Sequence, residues 1–135
     1  MGVESRFYFC KDYGFGNKKG TTDAEIVAMM DVSKMGYETE ALKFFELFDK
    51  ETPFNLYLPD TDEEGNEVMA PVIEDPYGNR LKCGDYEELI PQLKKVIQED
   101  KALRGNTYWR YKPLMAMLKE FSKADEKIYC VLYQY

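Results

Sequence analysis

Histidine is missing from this chain altogether. Its absence removes the Ser-His and Cys-His dyads, the side chain whose ordinary pKa lies nearest neutrality, and the usual donors for zinc and iron. Cysteine is scarce. Cys10, Cys83 and Cys130 are an odd number at wide spacing, neither a secreted disulfide framework nor a CxxC zinc pair. Buried free thiols are the expectation, with Cys10 and Cys130 close together if they fall on adjacent strands. No apolar run approaches the roughly 18–20 residues that cross a bilayer, and Met1–Arg6 is too polar for a signal peptide. A cytoplasmic protein without membrane contact is expected. Positive charge is short as well: 18 Lys and Arg stand against 25 Asp and Glu, a net charge of −7. Nonspecific nucleic-acid affinity comes from Lys and Arg, so direct nucleic-acid binding is disfavoured. What remains is a surface tuned for solubility, or one directed at a protein partner with a basic surface, such as the nucleic-acid groove of another protein.

At 135 residues with 44% hydrophobic side chains, the chain is long enough to bury a core as a single α+β domain over residues 1–135. The most strand-like stretch is the last, Lys127–Tyr135, which is rich in β-branched and aromatic residues and has neither Gly nor Pro. Ile128, Cys130 and Leu132 alternate with Tyr129, Val131, Tyr133 and Tyr135. Both faces are therefore apolar or amphipathic, and the strand belongs inside a sheet. Ser5–Cys10 is its expected neighbour, with helices shielding the tyrosine-bearing surface of the pair.

Thr22–Met35 carries two readings. Thr22 and Glu25 have capping-box spacing for a helix, whereas period two places Ala24, Ile26, Ala28, Met30 and Val32 on one face of a strand. The strand reading is preferred, hairpinned to Ser5–Cys10 through the glycine-rich loop. Thr39–Lys50 is amphipathic, with Ala41, Phe44, Phe45 and Phe48 in one stripe, and Pro53 ends it. Phe54–Leu58 and Glu67–Ile73 read as a hairpin around the acidic tip Asp60–Asn66, with Pro71 at an edge or bulge. DPYG at Asp75–Gly78 signals a turn, and Arg80–Lys82 a short return strand. Asp85 caps a helix that runs to about Ala102 with a kink at Pro91, and a last helix starts near Thr107 and bends near Pro113. The order is β-β-α-β-β-α-α-β, a mostly antiparallel sheet with helices packed on it.

Few residues carry chemistry. Asp60–Gly65 (DTDEEG) imitates the opening of a calcium loop, but Pro71 stands where the bidentate carboxylate belongs, so a solvated hairpin tip is the better reading and no metal is assigned. Gly14–Thr21 (GFGNKKGT) has neither GxGxxG nor P-loop spacing; it is read first as a flexible loop and second as a weak anion contact through Lys18 and Lys19. Thr107–Lys112 (TYWRYK) interleaves aromatics with cations, and in an acidic protein such a cluster packs a core or offers a protein contact through Trp109, Arg110 and Tyr111. Glu87 and Glu88 point about 100° apart on a helix and do not form an acid/base pair. No catalytic residue and no cofactor is assigned.

VESRFYF, AEIVAMMDVSKM, DPYGNRLK and PLMAMLKEF…YCVLYQY together resemble small accessory proteins carried by bacteriophages and mobile elements. That resemblance implies an accessory role, including interference with host defence by binding. The leading expectation is a noncatalytic acidic binding protein that acts by protein contact, through Asp60, Asp62, Glu63 and Glu64 and the Trp109–Tyr111 cluster. The alternatives are a protein that sequesters an anionic small ligand or nucleotide between tyrosines and Lys18, Lys19 or Arg110, and an enzyme dependent on carboxylates or a thiol.

Overall fold

A computed structural model describes residues 4–16, 22–32, 39–104 and 111–135. The two ends of the chain form the middle of the sheet. β1 (Ser5–Gly16) lies antiparallel to β7 (Ile128–Gln134) on one side and to β2 (Thr22–Val32) on the other. The β1–β7 register runs from Ser5 opposite Gln134 to Lys11 opposite Ile128. With β3 (Lys50–Glu51), β4 (Phe54–Thr61), β5 (Glu67–Val72) and β6 (Lys82–Gly84), the ladder order is β3-β6-β7-β1-β2-β4-β5. Every pairing is antiparallel except β2 with β4, which meet in parallel through Thr22–Phe54 and Asp23–Asn55 alone. The fold is α+β with a mostly antiparallel sheet.

Both faces of the β1–β7 pair are buried, by different layers. One face presents Phe7, Phe9, Ile128 and Cys130 to the helices α1 (Thr39–Glu46), α2 (Tyr86–Arg104) and α3 (Lys112–Ser122), and packs on Phe44, Leu89, Leu93, Leu114 and Leu118. The other face presents Tyr8, Cys10, Val131, Tyr129 and Tyr133 to Phe54, Leu56 and Leu58 of β4 and to Leu81. The tyrosine-bearing face is thus covered by the β4–β5 hairpin and its neighbours, and the expectation that helices shield it is overturned. Alternation alone could not choose, because both faces of Lys127–Tyr135 are apolar enough to be covered.

A bulge resets β2. Phe9 pairs with Ala28 and Cys10 with Ile26, which leaves Val27 without a partner residue on β1. An extra residue on one strand shifts the alternation beyond it. Ala28, Met30 and Val32 therefore join the helical core, whereas Ala24 and Ile26 pack on the opposite side with Cys10. The single apolar face expected for this strand is split into two.

The helices follow their stripes, with ends set by tertiary pairing. α1 buries Ala41 and Phe44 but stops at Glu46, short of Lys50, and Phe48 is buried just beyond its end. Its last turn tightens as Leu47 N–H donates to Phe44 O and Phe48 N–H to Phe45 O, both at 3.2 Å. Lys50 and Glu51 are then taken up by Cys83 and Lys82 of β6. α2 begins after Asp85, whose carbonyl accepts the Glu88 and Leu89 amides at 3.0 and 2.9 Å, and it continues through Pro91. Pro113 lies in the first turn of α3, where a missing N–H costs nothing, so it starts that helix rather than bending it. Gly84 lets β6 pass under α2: a Cβ there would sit 3.0 Å from Leu89 Cδ2 and 3.1 Å from the Leu47 carbonyl oxygen.

Candidate functional site

The β4–β5 hairpin is anchored at one end only. Phe54, Leu56 and Leu58 are buried at its base, whereas every residue from Pro59 to Met69 is exposed. Successive strand residues point to opposite faces, so this unbroken run means that both faces of the outer hairpin meet solvent. It is an arm standing out from the sheet.

Its tip is built by a short local device. Asp62 Oδ1 accepts the amides of Glu64 and Asn66 at 2.9 and 2.8 Å, Gly65 N–H donates to Asp62 O at 3.1 Å, and Gly65 has φ +85°. Only glycine adopts that left-handed conformation without cost. Asp75–Asn79 repeats the device: Asp75 Oδ1 accepts the amides of Tyr77 and Asn79 at 2.9 and 3.0 Å, and Gly78 has φ +81°. The shared pattern is Asp-x-x-Gly-Asn, which sequence reading treated as two unrelated turn signals. The Asp62 carboxyl is held below its ordinary range by these hydrogen bonds, the Asn66 amide first. Both of its oxygens accept hydrogen bonds within the turn. Among the described residues no group of three or more His, Cys, Asp or Glu is placed to hold a metal.

Charge is segregated onto this part of the chain. From Glu51 to Asn79 there are eight acidic residues and no Lys or Arg; the remainder holds 17 acidic and 18 basic residues, a net of +1. The negative charge of the whole protein is thus carried by one stretch, and Asp60, Glu63, Glu64 and Glu67 lie exposed on its arm. Val68 and Met69, 39% and 59% exposed, stand beside them.

Each edge of the arm lacks one backbone donor for strand addition. Pro59 faces Met69 and Pro71 faces Tyr57, two steps apart on the ladder and so in the same class of pair. Proline has no N–H to give, which places both in non-hydrogen-bonded pairs with the donor-less position turned outward. Pro71 on the edge strand β5 agrees with the sequence reading.

A second polar cluster lies on the sheet face shared with Tyr8. Arg6 and Asp31 sit opposite each other on β1 and β2. Arg6 Nε donates to Asp31 Oδ1 at 2.7 Å, Nη1 to Tyr8 Oη at 2.8 Å and Nη2 to Tyr135 Oη at 3.2 Å. Tyr135 Oη in turn donates to Asp31 Oδ1 at 2.9 Å, and the guanidinium lies 4.7 Å from the Tyr135 ring. Arg6 holds the Asp31 carboxyl below its ordinary range. The cluster is internally satisfied and electrically balanced, which suits it to fastening the chain ends together. Sequence reading missed it because Arg6, Asp31 and Tyr135 are far apart in the chain; once β1 and β7 are paired, strand parity places Arg6 and Tyr135 on one face.

The cysteines offer no activated thiol. Cys10 and Cys130 lie on neighbouring strands but point to opposite faces, which prevents a disulfide despite their closeness. Burial pushes all three thiols above their ordinary pKa, disfavouring the thiolate.

The remaining sequence candidates fall in two groups. Lys18, Lys19, Trp109 and Arg110 lie outside the described residues. Tyr111 is 4% exposed within the helical core, so it packs the fold and is removed as a surface contact. It immediately precedes α3, and the Met115 amide bonds its carbonyl at 2.9 Å. Among the described residues no helix is long and apolar enough to cross a membrane. Compared with protein-family models, curated proteins and solved structures, the chain matches none of them.

Proposed function

We propose that this chain is a noncatalytic binding protein acting by protein contact, with the β4–β5 arm as its contact element and a basic protein surface as its target. The observation that carries this reading is the segregation of charge: Glu51–Asn79 holds all of the net negative charge, and five of its eight acidic residues lie on an arm exposed on both faces. Single-sign charge on a protruding element steers a partner of opposite sign and suppresses wrong encounters. Val68 and Met69 supply apolar area that a partner can desolvate between the carboxylates. Outward prolines at 59 and 71 direct the contact through side chains rather than through backbone pairing. In an accessory protein of the phage kind, such an arm would occlude the groove by which a host protein holds nucleic acid.

The test is affinity capture from a host lysate, quantified against Asp60→Asn/Glu63→Gln/Glu64→Gln/Glu67→Gln. Asp62 is kept because its carboxylate builds the turn. The reading expects a basic protein retained by the parent chain at low salt, released as salt rises, and reduced at least tenfold with the variant. Capture unchanged by the four substitutions would remove the arm as the contact.

A further inference from the structure

The two faces of the β4–β5 arm differ chemically. Leu56, Leu58 and Val72 pack into the core with Tyr8 and Val131. Directly opposed residues share a face, so the pairs Leu56–Val72, Leu58–Ala70 and Asp60–Val68 continue that side outward. The averted side carries the alternate pairs, Tyr57–Pro71 and Pro59–Met69, and ends at Thr61–Glu67. Pro59, Met69 and Pro71 are exposed, Met69 at 59%, and Tyr57 is half-buried. Two successive pairs of apolar or aromatic side chains thus form a strip that belongs to neither core cluster.

Charge is confined to one end of this strip. Glu67 closes it, Glu63 and Glu64 stand in the adjoining turn, and no Lys or Arg occurs between Glu51 and Asn79. Among the described residues, none of these three carboxylates enters an ion pair. The strip runs about 14 Å from Tyr57 to Thr61 at ~3.4 Å per residue, and with strands ~4.8 Å apart it is roughly 10 Å wide. Its area is on the order of 150 Å², against the roughly 800 Å² that each partner of a stable dimer buries. A second copy therefore needs far more surface than the strip provides. A helix is about 10–12 Å across and spans ~14 Å in about nine residues, which matches the strip in both dimensions. An added strand fits less well, because each edge of the arm lacks a donor at its proline.

We infer that the averted face of the arm docks an amphipathic helix of the partner, its apolar stripe laid along Tyr57, Pro59, Met69 and Pro71. Lys or Arg at one end of that helix meets Glu63, Glu64 and Glu67. Helices that dock in this way are read through anchors at i, i+3, i+4 and i+7, and two turns of such a stripe cover the strip. The inference rests on the contact reading above and adds the secondary structure of the partner and the face it uses. The opposite face, with Asp60 and Val68, is left outside the contact.

The test uses three end-capped synthetic peptides. The first has a leucine stripe on one helical face and lysines at one end. The second replaces those lysines with glutamates, and the third keeps the first composition but scatters the leucines round the helix. Each is titrated at constant ionic strength into the 15N-labelled protein, and amide shifts are followed. The lysine-ended peptide is expected to saturate, with the largest shifts in residues 57–69, and to bind at least tenfold tighter than either control. Met69→Ser should weaken it about tenfold, whereas Val68→Ser, the neighbouring residue on the other face, should stay within about twofold. Both substitutions are at exposed positions and should leave the circular dichroism spectrum unchanged. Glu63→Gln/Glu64→Gln/Glu67→Gln should bring the lysine- and glutamate-ended peptides within about threefold of each other. Equal binding of the scattered peptide, equal losses at Met69 and Val68, or a response without saturation would each overturn the assignment. The same shifts appearing on simple concentration of the protein would overturn it in favour of a second copy. Lysate capture that still depends on the arm's carboxylates while Met69→Ser leaves peptide binding unchanged would refute the helix and leave the contact reading standing. Capture indifferent to those carboxylates would remove the contact reading itself.

Discussion

Truncating Leu56 to alanine tests whether the arm grows from a rigid base. Leu56 is fully buried, faces Val72 across the hairpin and packs with Phe54, Tyr8 and Val131 against the tyrosine-bearing face of the sheet. The substitution removes three carbons, worth about 2.4 kcal/mol at ~0.8 kcal/mol per buried methylene. The cavity left behind adds to this, and fully buried Leu→Ala changes span about 2.7–5.0 kcal/mol. A loss of about 3–4 kcal/mol is therefore expected, which for a chain of this length lowers Tm by roughly 10–15 °C. Urea unfolding followed by circular dichroism and tyrosine fluorescence should show a shifted midpoint with an unchanged slope, because the same surface is exposed on unfolding. Leu42→Ala on α1, where Leu42 is 48% exposed, serves as the control and should stay within about 0.5 kcal/mol. A cost below about 1 kcal/mol for Leu56→Ala, or a separate early transition, would refute the reasoning: the hairpin would then melt independently of the sheet.

Two further outcomes follow from the polar groups. Cys10, Cys83 and Cys130, at 0%, 6% and 0% exposure with thiols pushed up by burial, should resist a disulfide reagent at neutral pH until urea unfolds the chain; rapid labelling of any of them in the folded protein would contradict its placement. The Asp31 carboxyl, depressed first by its hydrogen bond to Arg6, contributes stability that is present above its unfolded pKa of about 3.9 and lost as pH falls through its lower folded value. Because the Asp31 side chain is 52% exposed, Asp31→Asn should cost under about 1 kcal/mol at pH 7, and the gap from the parent chain should narrow as pH falls below the unfolded value and close once the folded carboxyl is protonated. A gap that persisted at low pH would show that the carboxylate charge is not its source.

The terminal strand was legible because no other structure suits KIYCVLYQY, and its pairing with Ser5–Cys10 followed from the need to bury both faces. Which layer covers which face was not legible, since Tyr129, Val131 and Tyr133 are as able to take a hairpin as a helix. The split of β2 was hidden for a different reason. A bulge depends on the partner strand, and nothing in AEIVAMM marks Val27 as the unpaired residue. β3 is two charged residues, Lys50 and Glu51, whose pairing with β6 overrides the helical periodicity leading into them. Composition did reveal the acidic tip of the arm, but not that the Asp62 carboxylate builds the turn there. Tyr111 reads in sequence either as core packing of the last helix or as part of an aromatic-cation contact, and the core reading holds because the start of α3 turns it inward.

The β4–β5 arm is the surface proposed to meet a partner, and site-specific photo-crosslinking in the host tests that most directly. A photoreactive residue is placed at Met69, 59% exposed on the arm, and in a parallel protein at Leu42, 48% exposed on the helical side. A discrete covalent adduct with a basic protein from position 69, and none from position 42, is the predicted result. Adducts from position 42 with none from position 69 would contradict it.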